Sequence, residues 1–138
     1  MPDEAATAAF AARLAATARP GDALLLEGPL GAGKTAFARA FIRACAGDPA
    51  LEIPSPTFTL VQSYQTPAAT IHHYDLWRLA DHRGLAELDW DEARAGIVLV
   101  EWPDRLGPLT PSHATRIKIS ITPAGREIDF AEVGKHAS

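Results

Sequence analysis

The chain has 138 residues, 47% hydrophobic and 22% charged, with 13 Lys and Arg against 17 Asp and Glu for a formal net charge of −4. That length supports one domain with a real core, and with no basic tract, direct nucleic-acid binding is not the default reading. Cys45 is the only cysteine, which excludes an internal disulfide; no apolar run approaches a membrane span, and Met1-Pro2-Asp3-Glu4 lacks the basic start of a secretory signal, so the expected location is cytoplasmic.

Residues 3–18 are alanine-rich and fit a helix on which Phe10, Leu14 and Ala15 share a face. Arg19-Pro20-Gly21-Asp22 turns the chain into Ala23-Leu24-Leu25-Leu26-Glu27, a short apolar run suited to a buried parallel strand. From Thr35 to Cys45 the apolar positions Phe37, Ala38, Phe41, Ile42 and Cys45 recur at helical spacing, Arg39 and Arg43 share another face, and Gly47 is a stop signal. Cys45 thus reads as a small core residue rather than a reactive thiol. Pro54-Ser55-Pro56 blocks a helix. Thr57–Tyr64 alternates as a strand does, and Thr70–Asp75 reads as its return in a β-hairpin. Residues 84–94 read as one short acidic helix with Leu85, Leu88 and Trp90 inward. Ile97-Val98-Leu99-Val100 has the continuous apolar, β-branched character of a second buried parallel strand. Thr115–Thr122 alternates Ile117, Ile119 and Ile121 with polar residues, and Glu127–Val133 would pair back on it. Parallel strands plus two hairpins indicate an α/β fold with antiparallel additions to the sheet.

Between the first strand and its helix, Gly28-Pro29-Leu30-Gly31-Ala32-Gly33-Lys34-Thr35 is a complete G-x-x-x-x-G-K-[ST] loop. Its glycines let the chain curl with N–H groups pointing inward, so that the amides of Gly31–Thr35 can cradle a polyphosphate. Lys34 is placed to reach the terminal phosphates and the Thr35 hydroxyl to ligate Mg²⁺. The candidate nucleotide-binding positions are Gly28, Leu30, Gly31, Ala32, Gly33, Lys34, Thr35 and Ala36. The strand before and the helix after supply the context the motif requires.

Mg²⁺ takes oxygen ligands and keeps several waters. Glu101 follows the apolar run 97–100, where a buried strand should emerge, and is the candidate second metal contact; its alternative is a solvated strand end or a partner for Arg105. Asp75 ends the second hairpin strand and could orient an attacking water; its alternative is an N-cap or a local pair with Arg78. The adjacent His72 and His73 point to opposite strand faces and cannot share a metal, so they read as structural or surface residues. Ser55-Pro56-Thr57 occupies the chain position of switch segments in nucleotide hydrolases, where Thr57 could sense the γ-phosphate and Mg²⁺; its alternative is an ordinary rigid connection.

With these residues in place the chain resembles the TsaE family, formerly the YjeE/YdiB group. The matching pieces occur in order: Leu26-Glu27-Gly28 through Lys34-Thr35, Ser55-Pro56-Thr57-Phe58-Thr59-Leu60-Val61, His73-Tyr74-Asp75-Leu76-Trp77-Arg78-Leu79-Ala80-Asp81, and Leu99-Val100-Glu101-Trp102-Pro103. The likeness covers roughly residues 3–130. It implies a single P-loop ATPase domain over 1–138, with a central parallel sheet, flanking antiparallel strands and helices on both faces. It further implies hydrolysis of ATP with Mg²⁺ in support of TsaB and TsaD, which transfer a threonylcarbamoyl group to adenosine-37 of tRNA, so that tRNA is met only through the complex. Carried over residue by residue, Lys34 and Thr35 contact phosphate and Mg²⁺, Glu101 is the metal-site carboxylate, Asp75 a catalytic carboxylate and Thr57 a switch-like residue, with Trp102 beside or under the nucleotide. The chain departs from the family pattern at Pro29, where Asp is usual, at Ala36, where a second Thr is common, and at Trp77, where Tyr is usual. These departures bear on rate and affinity.

Two rival functions share the same loop. A small-molecule kinase needs an acceptor pocket and usually a mobile, Arg-rich lid, and residues 76–94 carry Arg78, Arg83 and Arg94 but are acidic overall and short for a lid. A nucleotide-dependent interaction switch with negligible hydrolysis would differ from the ATPase only in turnover. Arg78 is the one candidate for an arginine finger within the chain, so hydrolysis by the protein alone is expected to be slow.

Overall fold

The computed structural model describes residues 4–28, 33–54, 60–67, 69–79, 82–122 and 125–133, with backbone alone for 4–6, 78, 82, 120–122 and 125–133. Among these residues one six-stranded sheet runs in the order β2-β3-β4-β1-β5-β6. Its strands are β1 Ala23–Glu27, β2 Val61–Gln65, β3 Thr70–Asp75, β4 Ile97–Glu101, β5 Ala114–Thr122 and β6 Gly125–Val133. The four central strands are parallel, and β2 and β6 close the two edges as antiparallel hairpin partners of β3 and β5. This is the arrangement expected from two apolar runs and two hairpins. β4 is buried at every position because both faces of the central sheet are covered.

Two helices, α1 Glu4–Thr17 and α2 Lys34–Ala46, cover one face. The helical spacing of Phe37, Ala38, Phe41 and Ile42 turns all four inward, fully buried, against Leu24, Leu26, Ile97, Leu99, Ile117 and Ile119. Phe10 carries α1 onto this layer, its ring 5.9 Å from that of Phe37. α2 stops at Gly47, whose φ of 69° lets its N–H reach back to the Ala44 carbonyl at 3.2 Å. The exposed side of α2 is put to use: Arg39 and Arg43 donate to the carbonyls of Ile53 and Leu51, each at 2.9 Å, and fasten the segment that follows.

The opposite face is covered by short pieces. Leu25, Val98 and Val100 meet Tyr74, Leu76, Leu85, Trp90 and Leu106, drawn from β3, 3₁₀ turns at Leu76–Arg78, His82–Leu88 and Pro103–Leu109, and the four-residue helix α3, Trp90–Ala93. The acidic helix expected over 84–94 is therefore two elements. Asp89 sits between them at φ 57°, a left-handed conformation that no helix continues through. The break lets both Leu85 and Trp90 reach the core, and Tyr74 locks the junction by donating to the Leu88 carbonyl at 2.7 Å while its ring meets Trp90 edge-on. The first strand of the β2–β3 hairpin begins at Val61 rather than Thr57, with Leu60 at φ 69° just before it; residues 57–59 lie outside the described residues.

Candidate nucleotide site

Ligands of parallel sheets bind beyond the carboxyl ends of the strands, and the chain gathers its chemistry there. β1 delivers Gly28, and α2 begins at Lys34 with Gly33 as its N-cap at φ 105° and no side-chain cap. The α2 N-terminus thus presents backbone N–H groups and the positive end of the helix dipole. Pro29, Leu30, Gly31 and Ala32 lie outside the described residues, as do Ser55, Pro56 and Thr57; Ala36 lies in the first turn of α2.

Sheet register brings the carboxylates together. Asp75 pairs with Glu101 across β3 and β4, and Glu101 with Leu26 across β4 and β1. Neighbouring strands lie about 4.8 Å apart. With the period-2 rule, Asp75 and Glu101 project on the α2 side of the sheet, toward the N-terminus of that helix. Both are buried, as is Lys34 at 5% exposure. Glu101 faces Thr35, whose hydroxyl lies 3.3 and 3.4 Å from its two carboxylate oxygens. The Arg105 pairing considered for Glu101 does not occur: Arg105 donates to the Leu79 carbonyl at 3.2 Å. Asp75 caps the 3₁₀ turn, accepting from the Trp77 N–H at 3.2 Å, so the N-cap reading of this residue is met.

Lys34 is held at two points. Its ammonium donates to the Gly28 carbonyl at 2.7 Å and lies 3.7 Å from the centroid of the Trp102 ring. Burial pushes its pKa below the ordinary lysine value, opposed by the negative charges of Glu101, Asp75 and Asp104. Trp102 reaches this position by leaving β4 in a left-handed conformation, φ 62° and ψ 55°, costly for a bulky residue by about 1–3 kcal/mol. It also packs against the half-exposed Trp77, with ring centroids 4.7 Å apart. A cleft of about 370 Å³ opens beside Lys34, lined among others by Glu27, Gly28, Trp102, Asp104 and Arg116. Arg116 pairs with Glu27 in it.

Thr35 and Glu101 offer the hard oxygen donors that Mg²⁺ prefers. Among the described residues no group of three or more His, Cys, Asp and Glu side chains could hold a metal unaided. A cation at Thr35 and Glu101 would therefore share its coordination with phosphate oxygens and water, as Mg²⁺ does in nucleotide sites.

Sequence reasoning missed His73 in this cluster. The ring is fully buried and its Nε2 lies 2.7 Å from Glu101 Oε2. It stands on the same strand face as Asp75, two residues earlier, and that alternation was the available signal. His72 points the other way, its Nδ1 2.8 Å from Ser63 Oγ, as the opposite-faces argument requires. Glu27, Asp104 and Arg116 were also missed; nothing local marks them, because only the register of β1 and β5 brings Glu27 and Arg116 together.

The profile of a family described as threonylcarbamoyl adenosine biosynthesis protein TsaE matches residues 1–128. A TsaE protein of Rickettsia bellii is 40% identical over 119 residues, covering 86% of this chain and 82% of that protein. The TsaE protein of Bacillus subtilis is 38% identical over 131 residues, covering 93% and 80%. Both carry the name tRNA threonylcarbamoyladenosine biosynthesis protein TsaE. The crystal structure of Bacillus subtilis YdiB superposes with a TM-score of 0.80 at 34% identity, over 97% of this chain and 83% of that one. With the parallel sheet, the loop between β1 and α2, and these relatives in agreement, the chain belongs to the TsaE family of tRNA threonylcarbamoyladenosine biosynthesis proteins.

Proposed function

We propose that the chain is a Mg²⁺-dependent ATPase whose hydrolysis drives turnover of a TsaB–TsaD complex that modifies tRNA. The observation that carries this reading is the meeting of the Thr35 hydroxyl with the Glu101 carboxylate at 3.3 Å, beside Lys34 and the start of α2. Those groups are what a Mg²⁺–triphosphate needs: amides and an ammonium for the phosphates, and two hard oxygen donors for the metal. The metal supplies charge neutralisation on the phosphates when bound. Lys34 offsets charge on the transferred phosphoryl group, and Asp75 or Glu101 orients water. Trp102 holds the ammonium from one side and limits its hydration. Catalysis of this kind is positioning and electrostatics, so activity without partners is slow.

The negative net charge supports contact with tRNA through the complex and not by this chain directly. Reconstitution with TsaB and TsaD, following ATP hydrolysis and modified tRNA together, tests the reading. Weak hydrolysis by the chain alone, stimulated by the pair and lost in Lys34→Ala with partner binding retained, is the expected result. Rapid hydrolysis indifferent to the partners would overturn it, and phosphate transfer to a metabolite would replace it with a kinase.

A further inference from the structure

We propose that His73 is a positioning residue for the metal-side carboxylate: by holding Oε2 it fixes the orientation in which Glu101 faces Thr35 and the cation. The inference rests on the Mg²⁺-nucleotide reading of the site and adds to it a residue outside the loop and its acidic partners. His73 is fully buried, and its Nε2 lies 2.7 Å from Glu101 Oε2, while Thr35 Oγ1 lies 3.3 and 3.4 Å from the two oxygens of the same carboxylate. Glu101 thus bridges His73 on the sheet and Thr35 on α2. His73 is register-paired with Leu99 on β4, and Glu101 lies two residues beyond, so the contact is a diagonal one between adjacent strands that a long side chain spans.

A histidine kept only for packing would have both ring nitrogens partnered or be replaced by an apolar residue. Here Nδ1 is buried with no hydrogen-bond partner among the described residues, so Glu101 is the one polar group that holds the ring in place. A carboxylate with a single free torsional arrangement near Thr35 is worth more to a cation than one free to rotate, because its orienting entropy is already spent. Outer partners of metal ligands act in this way, and their loss commonly weakens metal affinity about 10–100-fold.

The test measures binding of a fluorescent ADP analogue with and without Mg²⁺, and the Mg²⁺ concentration that gives half the affinity gain. His73→Leu, close in volume and without a donor, is expected to raise that concentration about tenfold or more, while affinity without Mg²⁺ changes less than about threefold. His73→Gln, whose amide can donate to the same oxygen, is expected to stay within about threefold of the native protein. His73→Asn, whose amide is a methylene short of that oxygen, serves as the variant that loses the contact where His73→Leu fails to fold, and the Gln–Asn difference then carries the result. In a Glu101→Gln background, replacing His73 should have no further effect on the Mg²⁺ response. An unchanged Mg²⁺ midpoint in the folded variants that lose the contact would overturn the positioning role. Equal loss with and without Mg²⁺ would also overturn it, in favour of a purely structural histidine. A native protein whose nucleotide affinity ignores Mg²⁺ would be a different failure, overturning the metal reading of the site and this inference with it.

Discussion

Lys34 and Trp102 should be energetically coupled in the nucleotide-free protein, and the coupling can be measured. The ammonium lies 3.7 Å from the indole centroid and the lysine is 5% exposed, so the contact falls at the desolvated end of the cation–π range, about 2 kcal/mol. Trp102→Leu removes this contact and the pairing with Trp77, the latter worth about 0.5–1.5 kcal/mol. The left-handed backbone at position 102 is as costly for Leu as for Trp, so no strain relief offsets the loss. The single substitution should therefore cost about 2.5–3.5 kcal/mol, or a fall in Tm of roughly 7–14 °C for a chain of this size. Lys34→Met keeps the stem and removes the charge, and it also gives up the bond to the Gly28 carbonyl. The four proteins of the Lys34→Met, Trp102→Leu cycle, unfolded in urea at low ionic strength, should give a coupling energy of about 1–2 kcal/mol. Part of the Lys34→Met cost is returned by no longer burying a cation whose pKa burial already depresses. That term cancels in the cycle, which is why the cycle and not the single variant is the measurement of choice. A coupling below about 0.3 kcal/mol, within ordinary additivity error, would refute the claim that the indole holds the ammonium.

Glu101→Gln keeps an acceptor for His73 and removes the charge, so Mg²⁺-dependent hydrolysis should fall at least about tenfold while Mg²⁺-free nucleotide binding changes little; steady-state turnover and fluorescent-nucleotide titration check this, and unchanged hydrolysis would remove Glu101 from the metal site. Burial pushes the Tyr74 hydroxyl, which donates to Leu88, and the Tyr64 hydroxyl above the ordinary tyrosine value. Phenolate absorbance should therefore stay low at about pH 10, where free tyrosine is half ionised. Because both folded pKa values are raised, the stability they contribute is complete below that pH and is lost as pH climbs through the folded values; ionisation of both tyrosines at the free value in a still-folded protein would contradict their burial. The Cys45 thiol is likewise pushed up to about 11 from 9.0, so iodoacetamide at about pH 8 should modify it roughly 100-fold more slowly than free cysteine, as mass spectrometry of timed samples would register. Gly96→Ala would put a methyl 2.3 Å from the Thr70 carbonyl oxygen, a backbone atom with little room to retreat, and should cost about 1–3 kcal/mol in urea unfolding; Gly84→Ala meets only the flexible end of Leu79 and should cost less.

Several residues that the fold brings to the candidate site are marked locally in the sequence. The loop from Gly28 to Thr35 carries its own residue code. Ile97–Val100 announces a strand buried on both faces, which places Glu101 at the strand end where ligands bind. Asp75 closes an alternating run in the same way. Each of these inferences needs only the neighbours of a residue along the chain. The break at Asp89 was harder, because the spacing of Leu85, Leu88 and Trp90 suits one helix as well as two short turns. The decision there belongs to Tyr74, which reaches the Leu88 carbonyl from another strand. The start of β2 at Val61 is likewise not marked by the alternation in 57–64: it is set by the left-handed Leu60, φ 69°.

What could not be read depends on register, and register is set between strands. His73 and His72 are indistinguishable as neighbours in a sequence, yet one is fully buried against Glu101 and the other faces Ser63 at an edge. The assignment follows from pairing His73 with Leu99; a slip of one residue would send His72 to the α2 face and His73 to the other. Such a slip is resisted by Ile71, Ile97 and Leu99, all fully buried beneath α2, and by Tyr74 and Val100, fully buried on the opposite face. The hydrophobic pattern that secures the core therefore also aims the polar side chains at its upper rim. Asp75, Glu101 and His73 hold their places through the same alternation that buries Ile71 and Leu99 below them. A substitution deep in this layer, such as Leu99→Ala, should then disturb the Mg²⁺ response as well as stability, although Leu99 touches no ligand.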